Sequence, residues 1–194
     1  MDIRKVIQFL FLFICIAVVI GVYEFFHYPI PNNATSIEQH LRKWESKGTV
    51  NGPKPIDIRD IRQIDDSDTY VALYTIPGDK EGMAVLKEGW SKRLRIEVST
   101  KTSNLVEYED LHTNKGTYAL FIGKNPSKQI HRVKASLVND NYTFEVNVPK
   151  EEYFVLYKKV PKYVKETFPA ETTLLNSEGD DITVKEYMDQ ELRE

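Results

Sequence analysis

The sequence predicts a mainly β fold, an antiparallel sandwich or partly closed barrel, preceded by one transmembrane helix and a short amphipathic helix and followed by a short C-terminal helix. Three observations carry that prediction. Val6 to Tyr23 is a charge-free apolar run of eighteen residues. From residue 56 to 158 apolar residues recur with period two, the spacing that turns alternate side chains of a strand to opposite faces. Turn-forming residues interrupt that region at close intervals, as they do between the short strands of all-β domains. At 194 residues the chain has room for one domain and an appendage.

The apolar run comes first in the chain. At about 1.5 Å per residue it reaches roughly 27 Å, close to the ~30 Å of a bilayer's hydrocarbon core. A cleavable signal would have a shorter apolar centre followed by small residues, whereas this run ends in Gly21-Val22-Tyr23-Glu24-Phe25-Phe26. The segment therefore reads as a retained signal anchor with residues 6-23 in the lipid bilayer. A buried soluble helix would show a polar stripe, which this one lacks. Arg4 and Lys5 precede the run, and no Lys or Arg follows it until Arg42, so the N-terminus is expected in the cytoplasm and the rest outside it. Tyr23, Phe25, Phe26 and Tyr28 form an aromatic cluster suited to the outer headgroup layer. Cys15, the single cysteine, lies deep in the run with Ile14 before it, which excludes an intramolecular disulfide and a cysteine-based zinc site and argues against lipidation.

Pro29 and Pro31 then stop the helix, and Asn32 and Asn33 favour a turn. A short amphipathic helix is expected from Ser36, with Ser36 and Gln39 as a capping box and Ile37, Leu41 and Trp44 on one face. Gly48 is expected to stop it, and Gly52-Pro53-Lys54-Pro55 to separate it from the main body. The domain boundaries are thus 1-28 for the cytoplasmic terminus and anchor, 29-55 for the spacer and helix, and 56-194 for an extracytoplasmic β-rich domain.

About eight strands are legible in that domain. Leu94, Ile96 and Val98 alternate with Arg95 and Glu97. Val133, Ala135 and Leu137 alternate with charged or small residues, as do Tyr142, Phe144, Val146 and Val148. The last two runs form a hairpin if Asn139 and Asp140, which tolerate positive φ, sit at its tip. That register sets Leu137 against Tyr142, Ala135 against Phe144 and Lys134 against Glu145. Tyr70 to Ile76, Tyr118 to Ile122 and Tyr153 to Tyr157 are apolar on both faces, as strands in the middle of a packed sheet are. Pro77-Gly78-Asp79, Lys101 to Asn104, Lys124-Asn125-Pro126 and Asn139 to Asn141 supply turns. Thr172 to Leu175, a turn at Ser177-Glu178-Gly179-Asp180 and a terminal helix with Thr183 and Glu186 as a capping box complete the chain.

Chemistry is sparse. The motifs of serine hydrolases, zinc proteases, phosphate loops and EF-hands are missing from the sequence, and no catalytic, cofactor-binding or metal-ligating residue is assigned. His27, His40, His112 and His131 are far apart in sequence, with His131 read as an edge-of-core imidazole holding a hydrogen bond. Asp65-Asp66-Ser67-Asp68 and Glu178-Gly179-Asp180-Asp181 lack the spacing of a calcium loop and read as solvated turns. Pairing Arg93 to Val98 with Val106 to Leu111 would place Glu97 opposite Glu107 and Arg95 opposite Glu109. The two acids are the one candidate pair for a hydrolase, although an exposed face with mixed charges needs no catalytic explanation. Lys124, Lys128, Arg132 and Lys134, joined by Lys158, Lys159, Lys162 and Lys165, could face anionic lipid or wall polymer, or simply solubilise strands. A net charge of -3 excludes nucleic acid as the main partner.

At Gly82-Met83-Ala84-Val85-Leu86-Lys87-Glu88-Gly89-Trp90, Leu120 to Pro126 and Glu152 to Tyr157 the chain resembles uncharacterised membrane-anchored extracytoplasmic β-domain proteins of Gram-positive bacteria. The resemblance covers roughly the central half and implies a location outside the cytoplasm with no assigned activity. The expected function is a binding or accessory domain that engages a membrane protein or envelope component, with the anchored hydrolase as the alternative.

Overall fold

The computed structural model describes residues 3–47, 55–77, 81–102 and 104–192. Gly48, the Gly52-Pro53-Lys54 separator, the Gly78-Asp79 turn and Ser103 lie outside them. Helix α1, Ile3–His27, contains the whole apolar run and ends two residues before Pro29. Among the described residues it is the one helix long and apolar enough to cross a membrane. The mean hydropathy of its apolar window is 2.8, and none of that window is buried against the rest of the chain. Past it, Ile30 forms an isolated antiparallel bridge with Leu94, with its N–H donating to the Leu94 carbonyl at 3.0 Å.

Helix α2, Ala34–Glu45, starts one step earlier than the expected capping box allows. Asn33 is extended and caps it, its side chain accepting from the Ser36 N–H at 2.9 Å. Asn is as good an N-cap as Ser, and it comes first in the chain, so Ser36 becomes a donor inside the first turn instead of the cap. Ile37 and Leu41 are fully buried, and Trp44, expected on the same face, is half-buried.

Among the described residues ten strands follow: β1 Asp57–Gln63, β2 Thr69–Thr75, β3 Glu81–Glu88, β4 Leu94–Thr102, β5 Val106–Thr113, β6 Gly116–Lys124, β7 Arg132–Leu137, β8 Thr143–Asn147, β9 Tyr153–Lys159 and β10 Ala170–Leu175. Helix α3, Thr183–Glu191, ends the described chain. The strands form three antiparallel sheets with orders β1-β2-β3-β4, β5-β6-β9 and β10-β7-β8. None of the sheets closes into a barrel.

The sheets stack, and the side-chain period shows how. On β2 and β3 the even-numbered Ala72, Tyr74, Ala84 and Leu86 pack with Ile30, Ile37 and Leu41, so α2 covers the outer face of the first sheet. The odd-numbered Val71, Leu73, Met83 and Val85 meet Tyr118, Leu120, Ile122 and Val155 of the second sheet. On the far face of that sheet, Tyr108, Ala119, Phe121 and Phe154 meet Val133, Ala135, Phe144 and Leu174 of the third. Helix and sheets thus form four layers, and β2 and β6 are apolar on both faces because both faces are covered.

The predicted β7–β8 hairpin has the expected register: Ala135 pairs with Phe144 and Lys134 with Glu145, and the Leu137 N–H donates to the Tyr142 carbonyl at 3.0 Å. Neither Asn139 nor Asp140 takes a positive φ, however. The connection runs from Val138 to Tyr142, long enough to turn without the left-handed residues a two-residue loop requires.

Two strands escaped the period-two reading. Charged β1 has a register shift between Ile58 and Asp60, and β3 is buried along most of its length, so neither alternates cleanly. A second shift in β4 passes from the Val85–Val98 pair to the Leu86–Ile96 pair, leaving Glu97 as the extra residue. Leu94 and Ile96 face inward as expected, but beyond the shift Val98 is 45% exposed. The Thr183–Glu186 capping box does not form, because both side chains bind elsewhere in the fold. Thr183 Oγ1 accepts from the Leu174 N–H at 2.9 Å, and buried Glu186 accepts from Ser127 Oγ at 2.7 Å.

Candidate functional site

The most developed surface feature lies where α1 meets the β domain. The turn between β3 and β4 is closed by the Gly89 N–H donating to the Arg93 carbonyl at 2.8 Å and the Lys92 N–H donating to the Gly89 carbonyl at 3.1 Å. Its residues grip the outer end of α1. Glu24 accepts from the Ser91 hydroxyl at 3.0 Å and from the Ser91 N–H at 3.3 Å. Arg93 donates to the Tyr28 carbonyl at 2.8 Å and also to that of Pro29, while its guanidinium stands over the Phe25 ring. Arg95 meets the His27 ring nitrogen and lies 5.3 Å from the Tyr28 ring centroid. A Cβ on Gly89 would run into Glu24 Oε2 and come within 2.7 Å of the Tyr28 ring, so only glycine lets the turn sit this close.

On one side of this junction opens a groove of about 790 Å³. Phe26, His27 and Pro29 form one wall; His40, Lys43 and Trp44 of α2, with Lys47 just past its end, form the other; Arg95, Ile96 and Glu97 of β4 complete it. Lys43, Lys47 and Arg95 bring three fixed positive charges against the one carboxylate of Glu97, which Arg95 holds at 2.8 Å. Lys47 Nζ lies 4.1 Å above the Trp44 ring, a cation–π contact that keeps the indole at the wall. Cations beside exposed aromatic faces suit anionic groups carried on a less polar body.

The groove wall is anchored from below. Glu45, at the end of α2, accepts from the Tyr74 hydroxyl at 2.7 Å and from Ser99 Oγ at 2.7 Å. Tyr74 is fully buried, and burial, reinforced by Glu45 and opposed by Ser99, raises its hydroxyl far above the ordinary tyrosine range. This neutral, hydrogen-bonded phenol ties α2 to β2 and β4 and so fixes the spacing between Trp44 and Arg95.

The opposite side of the junction is acidic, where Glu24, Asp66, Asp68 and Glu88 line a second hollow with Lys92 and Trp90. Most of these acids are bound within the fold. Glu88 accepts from Lys92 at 2.7 Å and Tyr70 at 3.1 Å, and Asp68 from Lys87 at 3.2 Å and Thr69 at 2.9 Å. Burial alone would raise the Asp68 carboxyl, but its bonds to Thr69 and Lys87 outweigh that and hold it below the usual carboxylate range. Among the described residues no three His, Cys, Asp or Glu side chains gather as a metal site.

The Glu97–Glu107 pair does not form. β4 pairs with β3 and β5 with β6, so the two acids belong to different sheets. Glu97 faces the basic groove, and Glu107 lies near Tyr108 and Phe168 at the edge of the second sheet. Arg95 bonds Glu97 and not Glu109. Burial, reinforced by the like charges of Glu107 and Asp110 on the same edge strand, raises the Glu109 carboxyl above its ordinary value.

The other candidates scatter. His112 and His131 each hold a local hydrogen bond, to Thr117 and to the Gln129 carbonyl, and His131 is half-buried as expected. Asp65 accepts from the Tyr118 hydroxyl at 2.8 Å, and Asp181 from the Thr183 N–H at 2.8 Å. Part of the basic run is engaged within the fold: Lys124 with Glu81, Arg132 with Glu145, and Lys158 over the Phe144 ring. Phe26, His27, His40, Trp44, Arg95 and Glu97 each stand out in the sequence, but their convergence does not, although His40, Lys43, Trp44 and Lys47 have the i, i+3, i+4, i+7 spacing of one helix face.

Comparison with protein-family models, with curated proteins and with solved structures returned no match.

Proposed function

We propose that the chain is a single-pass, membrane-anchored extracytoplasmic binding or accessory domain without catalytic activity, and that its juxtamembrane groove engages an anionic envelope component. Arg4 and Lys5 before the span, and the lack of basic residues just after it, support a cytoplasmic N-terminus. One observation carries the binding reading: a groove lined by Lys43, Lys47, Arg95, Trp44 and Phe26 opens at the outer end of the only candidate span among the described residues. A ligand that meets it there is held in the bilayer or lies against it, and tethering raises the effective concentration of a weak binder without further contacts. The resemblance to Gram-positive anchored β-domain proteins agrees with that placement.

The test uses the full chain in nanodiscs, titrated with a poly(glycerol phosphate) wall polymer. Wild type is expected to bind with an affinity that falls as salt is added. Charge reversal in Lys43→Glu, Lys47→Glu, Arg95→Glu together is expected to weaken binding by on the order of 100-fold, since each juxtamembrane cation contributes about 1 kcal/mol against an anionic surface. Equal binding by both proteins contradicts the assignment.

A further inference from the structure

The tip of the β3–β4 turn presents Trp90 to solvent with 84% of its surface exposed, and what sets it apart from the other exposed apolar side chains is its place beside the outer end of α1. Its position along α1 is fixed by its neighbours. Gly89 on one side is in contact range of Glu24 and Tyr28, and Ser91 on the other donates twice to Glu24. Glu24 is the first residue after the charge-free run Val6 to Tyr23. The turn therefore reaches back beside α1 by about one helical turn from the exit at His27, roughly 4.5 Å at 1.5 Å per residue. If Tyr23 ends in the hydrocarbon, Glu24 lies at the headgroup boundary, and so does Trp90.

We infer that Trp90 is a second membrane contact: the β3–β4 turn seats in the headgroup layer of the bilayer that α1 crosses, and holds the β domain down against the lipid surface. The inference rests on the spanning reading of α1. Its occupant is the phospholipid interface, where an indole places its ring against acyl chains and its N–H among polar groups. Tyr23 and Phe25, both more than half exposed, stand on the same stretch of α1, at the level of Glu24. Arg93, held over the Phe25 ring, brings positive charge to the phosphate level. The Ser91–Glu24 bonds serve a second purpose here, since they satisfy a carboxylate that would otherwise enter the interface unpaired.

Only Trp44 and Trp90 fluoresce as indoles in this chain, so Trp44→Phe isolates the signal. The protein is reconstituted in vesicles of phosphatidylcholine and phosphatidylglycerol, and only chain that floats with them and resists carbonate extraction is measured. One vesicle set carries bromines near the glycerol end of the acyl chains, another near the methyl end. Trp90 is expected to emit at shorter wavelength than in a lipid-free aqueous peptide of the same turn, and to lose more emission to the shallow bromines than to the deep ones. Equal emission of the Trp44→Phe chain in brominated and plain vesicles overturns the docking while leaving the span intact. A chain that carbonate removes overturns the span, and the docking with it.

Discussion

Gly82→Ala is expected to destabilise the protein strongly, although alanine ordinarily suits a strand better than glycine does. Gly82 is the cross-strand partner of Tyr74, and the phenol ring lies flat over the space a side chain would occupy. A Cβ there would stand 2.6 Å from the Tyr74 hydroxyl and closer still to the ring. Tyr74 is fully buried and cannot move aside without leaving Glu45 and Ser99, so the added methyl group both overpacks the first sheet and breaks the bonds that hold α2 to it. Overpacking costs about 1–3 kcal/mol and lost buried hydrogen bonds a similar amount. Out of a total near 5–15 kcal/mol, that loss is visible as a large drop in the denaturant midpoint with secondary structure and groove binding lost together. An unchanged midpoint would mean that Tyr74 does not occupy this site.

Phe121→Ala is the second large effect. Phe121 is fully buried on β6, the middle strand of the middle sheet, and its ring packs edge-on against Tyr108 at 5.4 Å and Phe144 at 5.9 Å. It is the contact through which the second and third sheets recognise each other. Removing the ring leaves a cavity that neither neighbour can fill without abandoning its own sheet, a loss of about 3–5 kcal/mol. Thermal unfolding of the variant is expected well below wild type, whereas truncating Val98, exposed beyond the β4 shift, is expected to change little. If the two variants melted together, the stacked-sheet core would be wrong.

These two residues also mark how much of the fold the sequence discloses. Tyr118 to Ile122, apolar at every position, announces a strand covered on both faces, and Phe121 with Leu120 shows why: one looks to the third sheet and the other to the first. The β7–β8 register was legible because apolar and charged pairs demand the same alignment. Gly82 carried no such signal, since nothing local says that a tyrosine eight residues earlier will lie across it. The shift at Glu97 was hidden for the same reason. Strict alternation from Leu94 to Val98 reads as one continuous face, and only pairing with β3 inserts the extra residue. The Glu97–Glu107 pair has a separate origin, since it requires β4 and β5 to be neighbours and they belong to different sheets.

The junction was legible only in part. The span, the proline stop and the aromatic cluster are local features and stand in the sequence. The grip of Ser91 on Glu24 joins residues 67 positions apart, and the groove exists only because α2, β4 and the end of α1 converge. Helix-face spacing alone would have disclosed His40, Lys43, Trp44 and Lys47 as one surface, but not that Arg95 and Phe26 oppose it.

Everything proposed for the groove depends on which side of the membrane the β domain occupies, and the chain's single cysteine makes that measurable. With Cys15→Ser as background, Ser177→Cys places a thiol on an exposed turn before α3 and Lys5→Cys places one ahead of the span. Intact cells expressing each variant are treated with a membrane-impermeant maleimide. Labelling of Ser177→Cys in intact cells, with Lys5→Cys labelled only after lysis, is the expected result; the reverse pattern, or protection of both until lysis, would contradict an anchored domain displayed outside the cytoplasm.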